Sequence, residues 1–203
     1  MSIGIIRNLG VGRFLEWGVV DSRGATGSIV VFWDNRVLEL VDLEAGVFSI
    51  SSHFKNCEDG FFWTFIGIYG PTLRRDREWF WGELGAIKGL WSGPWCVAWD
   101  FNSIICPGER NRGGSLNLDM ERFFEVIKDL ELEDMPLWGA PFTWSGGANN
   151  QSMSRLDCFL VNEEWDCRFS ESTQYGGANN QSMSRLDCFL VNKEWDCRFS
   201  EST

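Results

Sequence analysis

Histidine is nearly absent from this chain: His53 is the single imidazole in 203 residues. It lies in SISSHFK, at the end of an apolar stretch with no catalytic neighbourhood, so it is expected to stand outside any active site. Tyrosine is scarce too, two residues against twelve Trp and sixteen Phe. That balance implies large apolar surfaces to cover rather than a polar aromatic surface. No uninterrupted apolar run reaches the roughly 18 residues of a membrane span. The opening MSIGIIRNLGVGRFLEWG lacks a compact apolar core followed by a cleavage site, which makes it a poor signal peptide. Cysteine numbers seven, an odd count with no CxxC pair. A disulfide framework or zinc site is therefore disfavoured, and reduced thiols in an intracellular protein are the simpler account.

Positive charge is also in short supply, with 18 Lys and Arg against 29 Asp and Glu and a net charge of −11. Such a balance opposes non-specific adhesion to nucleic acid unless basic residues cluster. Two clusters exist, Arg74, Arg75 and Arg77, and Arg110 with Arg112. A hydrophobic content of 44% is that of a globular chain, and the length suits one domain.

The most conspicuous feature present is a duplication. Residues 146–173 reappear as 176–203, separated by Gln174 and Tyr175, with Glu163 against Lys193 as the sole mismatch. Two copies of one core strand cannot fill a single slot in a sheet. The expected organisation is a domain over 1–173, incomplete at its ends, with 174–203 loosely attached outside the core. Exchange of the two copies, or edge-to-edge pairing of the exposed one, is the rival expectation.

Strands are expected at 28–33, near 37–43, at 46–54 and at 61–69, the last ended by Gly70-Pro71. A helix is expected over 76–91, with Phe80, Leu84, Ile87 and Trp91 on one face and Pro94 as the stop. A short strand over 95–99 runs into Asp100-Phe101-Asn102, and a Gly-, Pro- and Arg-rich loop follows from Pro107 to Ser115. The second helix starts near Asn117, a plausible N-cap, with Phe123, Ile127 and Leu130 as its buried stripe. Short strands at 142–144 and 155–161 complete a pattern that indicates a mixed α/β or α+β domain.

Chemistry-bearing side chains gather at the strand ends. Alternation in an extended chain sends Asp100 and Asn102 to one face and Phe101 to the other. A carboxylate and an amide so placed suit a water and a phosphate oxygen, although D-x-N at a strand exit is also a common turn. Tyr69 closes another apolar strand, where its hydroxyl suits a phosphate or simply a sheet edge. Arg155 and Asp157 alternate with Leu156 in RLDCFLV, so each needs a partner if buried.

In order, GIYGP (67–71), WDFNSI (99–104), PGERNRGGS (107–115), FTWSGG (142–147) and SRLDCFLVN (154–162) resemble the endonuclease domain of plant LINE-type (non-LTR) retrotransposons. That domain belongs to the endonuclease/exonuclease/phosphatase superfamily. The resemblance covers roughly residues 24–173 and implies a four-layer α/β/β/α sandwich. It also implies Mg²⁺-assisted cleavage of DNA, and a nuclear location if the substrate is chromosomal. It assigns Asp100 to the attacking water and a weak, incomplete metal site, Asn102 to that water or a phosphate oxygen, and Tyr69 to the scissile phosphate. Asp157 matches the aspartate that orients the family's catalytic histidine. Arg74, Arg75, Arg110 and Arg112 become candidates for contact with DNA, and no protein partner is required.

Three departures accompany the resemblance. The family's opening strand-borne Asn and the metal-ligating Glu that follows it have no convincing counterparts, Asn8 and Glu16 being the respective offers. Its closing Ser-Asp-His run is not found. Trp99 stands where the family has Gly. The resulting expectation is a degenerate, inert or barely active phosphodiester hydrolase. The alternatives are a non-catalytic nucleic-acid-binding fragment or an unselected gene remnant.

Overall fold

A computed structural model describes residues 14–20, 29–135, 141–146, 151–174 and 188–191, with side chains excluded for 170–174 and 188–191. Its strands are β1 (Leu15–Val20), β2 (Ile29–Asp34), β3 (Leu38–Ala45), β4 (Ser49–Asn56), β5 (Phe62–Tyr69), β6 (Trp95–Asp100), β7 (Leu132–Asp134), β8 (Trp144–Gly146), β9 (Ser152–Ser154), β10 (Asp157–Asn162) and β11 (Cys188–Val191). Its helices are α1 (Arg77–Lys88), α2 (Leu118–Asp129) and α3 (Glu163–Gln174). The main sheet has six strands in the order β3-β4-β5-β6-β10-β7, antiparallel except for the β5/β6 pair. The second sheet runs β1-β2-β11, and β8-β9 is a separate ribbon.

Period-two patterning explains how the main sheet is coated on both faces. Ile66, Ile68 and Val97 point to one side, where they meet Phe80, Trp81, Leu84 and Ile87 of α1 and Phe123, Val126 and Ile127 of α2. Trp63, Phe65, Cys96, Ala98, Phe159 and Val161 point to the other, where they meet Ile29, Val31 and Trp33 of β2. Helices, six-stranded sheet and three-stranded sheet thus stack in that order, an α+β sandwich of which the described residues supply three layers. Three aromatics lock the helices down. Trp81 stacks on Phe123 at 5.1 Å between centroids, and Phe101 lies 4.9 Å from the same ring.

The expected helices are found within a few residues, and Asn117 caps α2 by accepting from the Asp119 and Met120 amides at 3.0 and 3.1 Å. Several elements were not foreseen. β1, β7 and β9 are half-exposed or only three residues long, too short or too mixed to show a period. Helix α3 falls inside the repeat, where the Asn162 side chain accepts from the Trp165 amide as its N-cap. Trp165 and Phe169 then pack against Phe159 and Trp63.

Two strand positions need correction. The strand expected at 142–144 lies at Trp144–Gly146, because Thr143 is spent bonding the start of β10. The strand expected from Arg155 begins at Asp157, because Arg155 leans back to Glu109. From the second copy, Cys188–Val191 pairs antiparallel with β2, Phe189 opposite Phe32. The remainder of that copy lies outside the described residues, as does Asn8.

His53 lies within β4, opposite Thr64 near the start of β5. Its ring lies between Phe62 and Trp91, at 5.7 and 5.6 Å, and Nδ1 is 3.0 Å from Thr64 Oγ1. Burial in that stack pushes its pKa below the usual value, and Asp42 opposes the shift. A folded-state pKa below the unfolded one means the unfolded chain binds the extra proton. The stabilisation is therefore complete above about pH 6.5 and is lost as pH falls from there through the lower folded-state pKa. Unfolding titrations between pH 8 and 5 should show a steeper loss of stability in the wild type than in His53→Phe.

Candidate active site

Three chain segments bring their polar ends to one row. In the parallel pair β5/β6, Tyr69 is the register partner of Asp100. In the antiparallel pair β6/β10, Asp100 is also the partner of Asp157. Adjacent strands lie about 4.8 Å apart, so Tyr69, Asp100 and Asp157 stand abreast over roughly 10 Å. The row lies where β5 and β6 end and β10 begins, a place in open sheets where loops converge and clefts form. Asp100 is only 6% exposed.

A cavity of about 340 Å³ opens there, lined by Tyr69, Asp100, Asn102 and Arg110 together with Thr72, Trp144, Ser154 and Leu156. Of the residues singled out from sequence, it therefore gathers Tyr69, Asp100, Asn102 and Arg110. Asp157 belongs to the same row, but its predecessor Leu156 is the one that lines the cavity. Arg74 and Arg75 stand elsewhere: Arg74 donates to Asp119 at 2.6 Å and Arg75 lies 3.6 Å from Asp76. Arg112 donates to Gln151 Oε1 at 3.4 Å. Glu16 accepts from Asn35 on the outer part of β1.

Asp100 and Asn102 share the cavity for a reason other than strand alternation. β6 ends at Asp100, and Asn102 has φ +48°, in the left-handed region that Asn tolerates better than most residues. Its amide donates to Asp100 Oδ1 at 2.7 Å, and its Nδ2 donates to the Gly70 carbonyl at 2.8 Å. The turn is held from outside as well. Arg77, grouped with the surface arginines by sequence, instead donates to the Asn102 carbonyl at 3.0 Å and pairs with Asp119 at 2.8 Å.

The opposite wall is fixed by residues that carried no individual signal. Thr143 Oγ1 accepts from the Leu156 and Asp157 amides at 2.9 and 3.0 Å, which locks the start of β10. Glu109, visible only as part of PGERNRGGS, accepts from the Ile105 amide and from Arg155. Arg155 also forks onto both oxygens of Asp134 at 2.6 Å, and these carboxylates hold its guanidinium still more firmly protonated. Arg155 thus lies between two cavity-lining residues, Ser154 and Leu156, and anchors the loop that presents Arg110.

Trp99 enters the row with φ +107°, a conformation that suits glycine. Its side chain packs against the inter-sheet core, so bulk at this position is bought with backbone strain of about 1–3 kcal/mol. Trp99→Gly and Trp99→Ala both lose the indole contacts, but only glycine relieves the backbone. Urea unfolding should find the glycine variant more stable than the alanine variant by about 1 kcal/mol, the reverse of the usual order in a strand.

The endonuclease domain of TRAS1, a telomere-specific non-LTR retrotransposon, shares this architecture, with a TM-score of 0.57 over 75% of this chain and 69% of that one at 10% identity. The fold is endonuclease/exonuclease/phosphatase-like. Two further structures overlap less well: a family protein of that name from Bacteroides thetaiotaomicron (TM-score 0.46, 13% identity, 74% of this chain and 60% of that) and the human Nocturnin catalytic domain with bound sulfate anion (0.45, 13%, 79% and 63%). No protein-family model matches the sequence, and no curated protein does. In an endonuclease/exonuclease/phosphatase-like sandwich of this kind, the row of Tyr69, Asp100 and Asp157 crosses the middle of the main sheet. Among the described residues no helix is long and apolar enough to cross a membrane.

Proposed function

We propose that the cavity is the phosphodiester site of a retrotransposon-type, Mg²⁺-dependent DNA endonuclease, and that turnover in this chain is far below that of a competent enzyme. The observation that carries the reading is the row Tyr69, Asp100, Asp157 with Asn102 and Arg110 on the same cavity. The guanidinium of Arg110 suits a phosphate oxygen, as does the Tyr69 hydroxyl.

The donor set fits Mg²⁺ in part. Asp100 and Asp157 are hard oxygen ligands, and this ion is commonly held by one or two carboxylates plus substrate phosphates. Among the described residues no group of three or more His, Cys, Asp and Glu is placed to hold a metal, so phosphate oxygens would have to complete the shell. When bound, the ion would neutralise phosphate charge and ease ionisation of water.

What the chain itself supplies is positioning. Asp100 and Asn102 are fixed to each other and to Gly70. The one histidine is committed to the Phe62–Trp91 stack, so the cavity receives no imidazole from this chain. Loss of general acid–base help costs about 10²–10⁴ in rate. Nicking of supercoiled plasmid with Mg²⁺ should stay at background for both the wild type and Asp100→Ala. Robust nicking abolished by the substitution would overturn the degenerate reading and leave the nuclease assignment standing.

A purely nucleic-acid-binding role draws less support. Arg74 and Arg77 are turned onto Asp119 and Arg155 onto Glu109 and Asp134. With a net charge of −11, DNA binding is expected to be weak. Its salt dependence should correspond to about one or two released counterions.

A further inference from the structure

The slot between β6 and β7 is built for a sequence that the chain contains twice. Its present occupant, β10, pairs with β6 from Asp157 to Val161 and with β7 from Leu160 to Asn162. The slot reads particular side chains. Cys158 and Leu160 enter the helix-side core, and Phe159 and Val161 enter the inter-sheet core. Arg155 meets Glu109 and Asp134, and Asn162 accepts from the Trp95 amide at 3.0 Å. Residues 184–192 repeat residues 154–162 without a change, and the match extends back through β9 to Gly176. Every group that the slot selects is therefore present in the second copy, in the same order and spacing.

The only mismatch, Glu163 against Lys193, falls beyond the strand, and Glu163 is exposed. Nothing in the slot distinguishes the copies. Connection length does. With the second copy installed, the link from β8 to β9 would comprise residues 147–181 in place of 147–151, about seven times longer. Loop closure scales as the 3/2 power of length, so the longer connection is disfavoured on the order of 20-fold. That is small beside the energy of inserting a core strand. The position beside β2 held by Cys188–Val191 is open to the identical Cys158–Val161.

We infer that the β6/β7 slot is an acceptor for either copy of this segment, so that the fold has two threadings in which the copies exchange places. The second copy is a spare for the strand that carries Asp157. The same identity lets the tail of one molecule fill the slot of another, the chemistry of an exchanged-strand dimer.

The test places a carboxylate at the buried strand centre, in one copy or in both. Leu160 is 1% exposed, and an ionised group there is excluded from the core. The full chain is compared with Leu160→Glu, Leu190→Glu and the double variant by urea unfolding and by pulse thiol labelling read by mass spectrometry. The Glu163/Lys193 difference separates the Cys158 and Cys188 peptides by mass. Leu160→Glu is expected to keep a cooperative transition, with its folding constant lowered by about 20- to 100-fold. Cys158 should become reactive and Cys188 protected. The double variant should lose the transition.

Sedimentation distinguishes the source of the replacement strand. A monomeric Leu160→Glu protein uses its own tail, whereas a concentration-dependent dimer uses its neighbour's. The inference is overturned if Leu160→Glu unfolds as completely as the double variant. It is equally overturned if Cys158 stays protected in Leu160→Glu. Neither result bears on the phosphodiester reading, because the substitutions fall outside the cavity and the exchanged copy would bring identical residues to it.

Discussion

Replacing Arg155 with Met is expected to lower the unfolding free energy by about 3–5 kcal/mol, the cost of breaking a buried ion pair from one side. The Arg155 side chain is 15% exposed and Glu109 10%, against 28% for Asp134, so Glu109 in particular has little recourse to water. Two charges lose their counterion at once, since Arg155 serves Asp134 as well. Neutralising those carboxylates in the same protein, as Arg155→Met with Glu109→Gln and Asp134→Asn, is expected to recover part of the loss. A merely bulky arginine, valued for its carbon stem, would show no such recovery. The backbone bond from the Arg155 amide to the Glu109 carbonyl, 2.9 Å, would remain in either variant. Any looseness of the Arg110 loop is therefore attributable to the lost charges. Urea titrations of the three proteins decide the matter.

Gly70→Ala should be the second severe substitution, at about 3 kcal/mol, near the upper end for overpacking. A Cβ at Gly70 would lie 2.3 Å from the Phe101 carbonyl oxygen and 2.6 Å from its carbon. These are backbone atoms and cannot rotate aside. Gly70 also donates to the Asp100 carbonyl at 2.7 Å and accepts from Asn102. Forcing the two chains apart therefore separates Tyr69 from Asp100 as well. Gly82→Ala provides the contrast. It lies inside α1 with nothing within 4 Å of the new methyl, and should stabilise by up to about 1 kcal/mol. Opposite signs for one chemical change would confirm that the close approach at Gly70 is the cause.

The sequence made some of this architecture legible and hid the rest for identifiable reasons. Long apolar stretches such as 61–69 and the 3.6-residue stripe of α1 announce themselves because burial on a face imposes a period. The grouping of Tyr69, Asp100 and Asp157 was reachable through strand ends and motif order, yet pairing register is what aligns them. The Asp100–Asn102 relation was anticipated by the wrong cause, since a left-handed turn rather than a pleat produces it. Arg77 and Glu109 were invisible individually. Nothing local distinguishes an arginine that faces water from one that holds the Asn102 carbonyl. The three-residue strands escaped for want of a period, and α3 because its N-cap, Asn162, sits in a strand.

The order of strands also has a consequence for synthesis. β6 is flanked by β5 and β10, and among the described residues β7 pairs only with β10. The strand between β6 and β7 emerges from the ribosome after both of them. Until residue 162 has cleared the ribosome, the nascent chain carries two apolar or half-buried strands with unmatched amides, a state open to association with its neighbours on a polysome. Holdase binding to stalled chains should therefore be strongest for those halted with β7 outside the exit tunnel and β10 still within it, and should fall once the late strand is available.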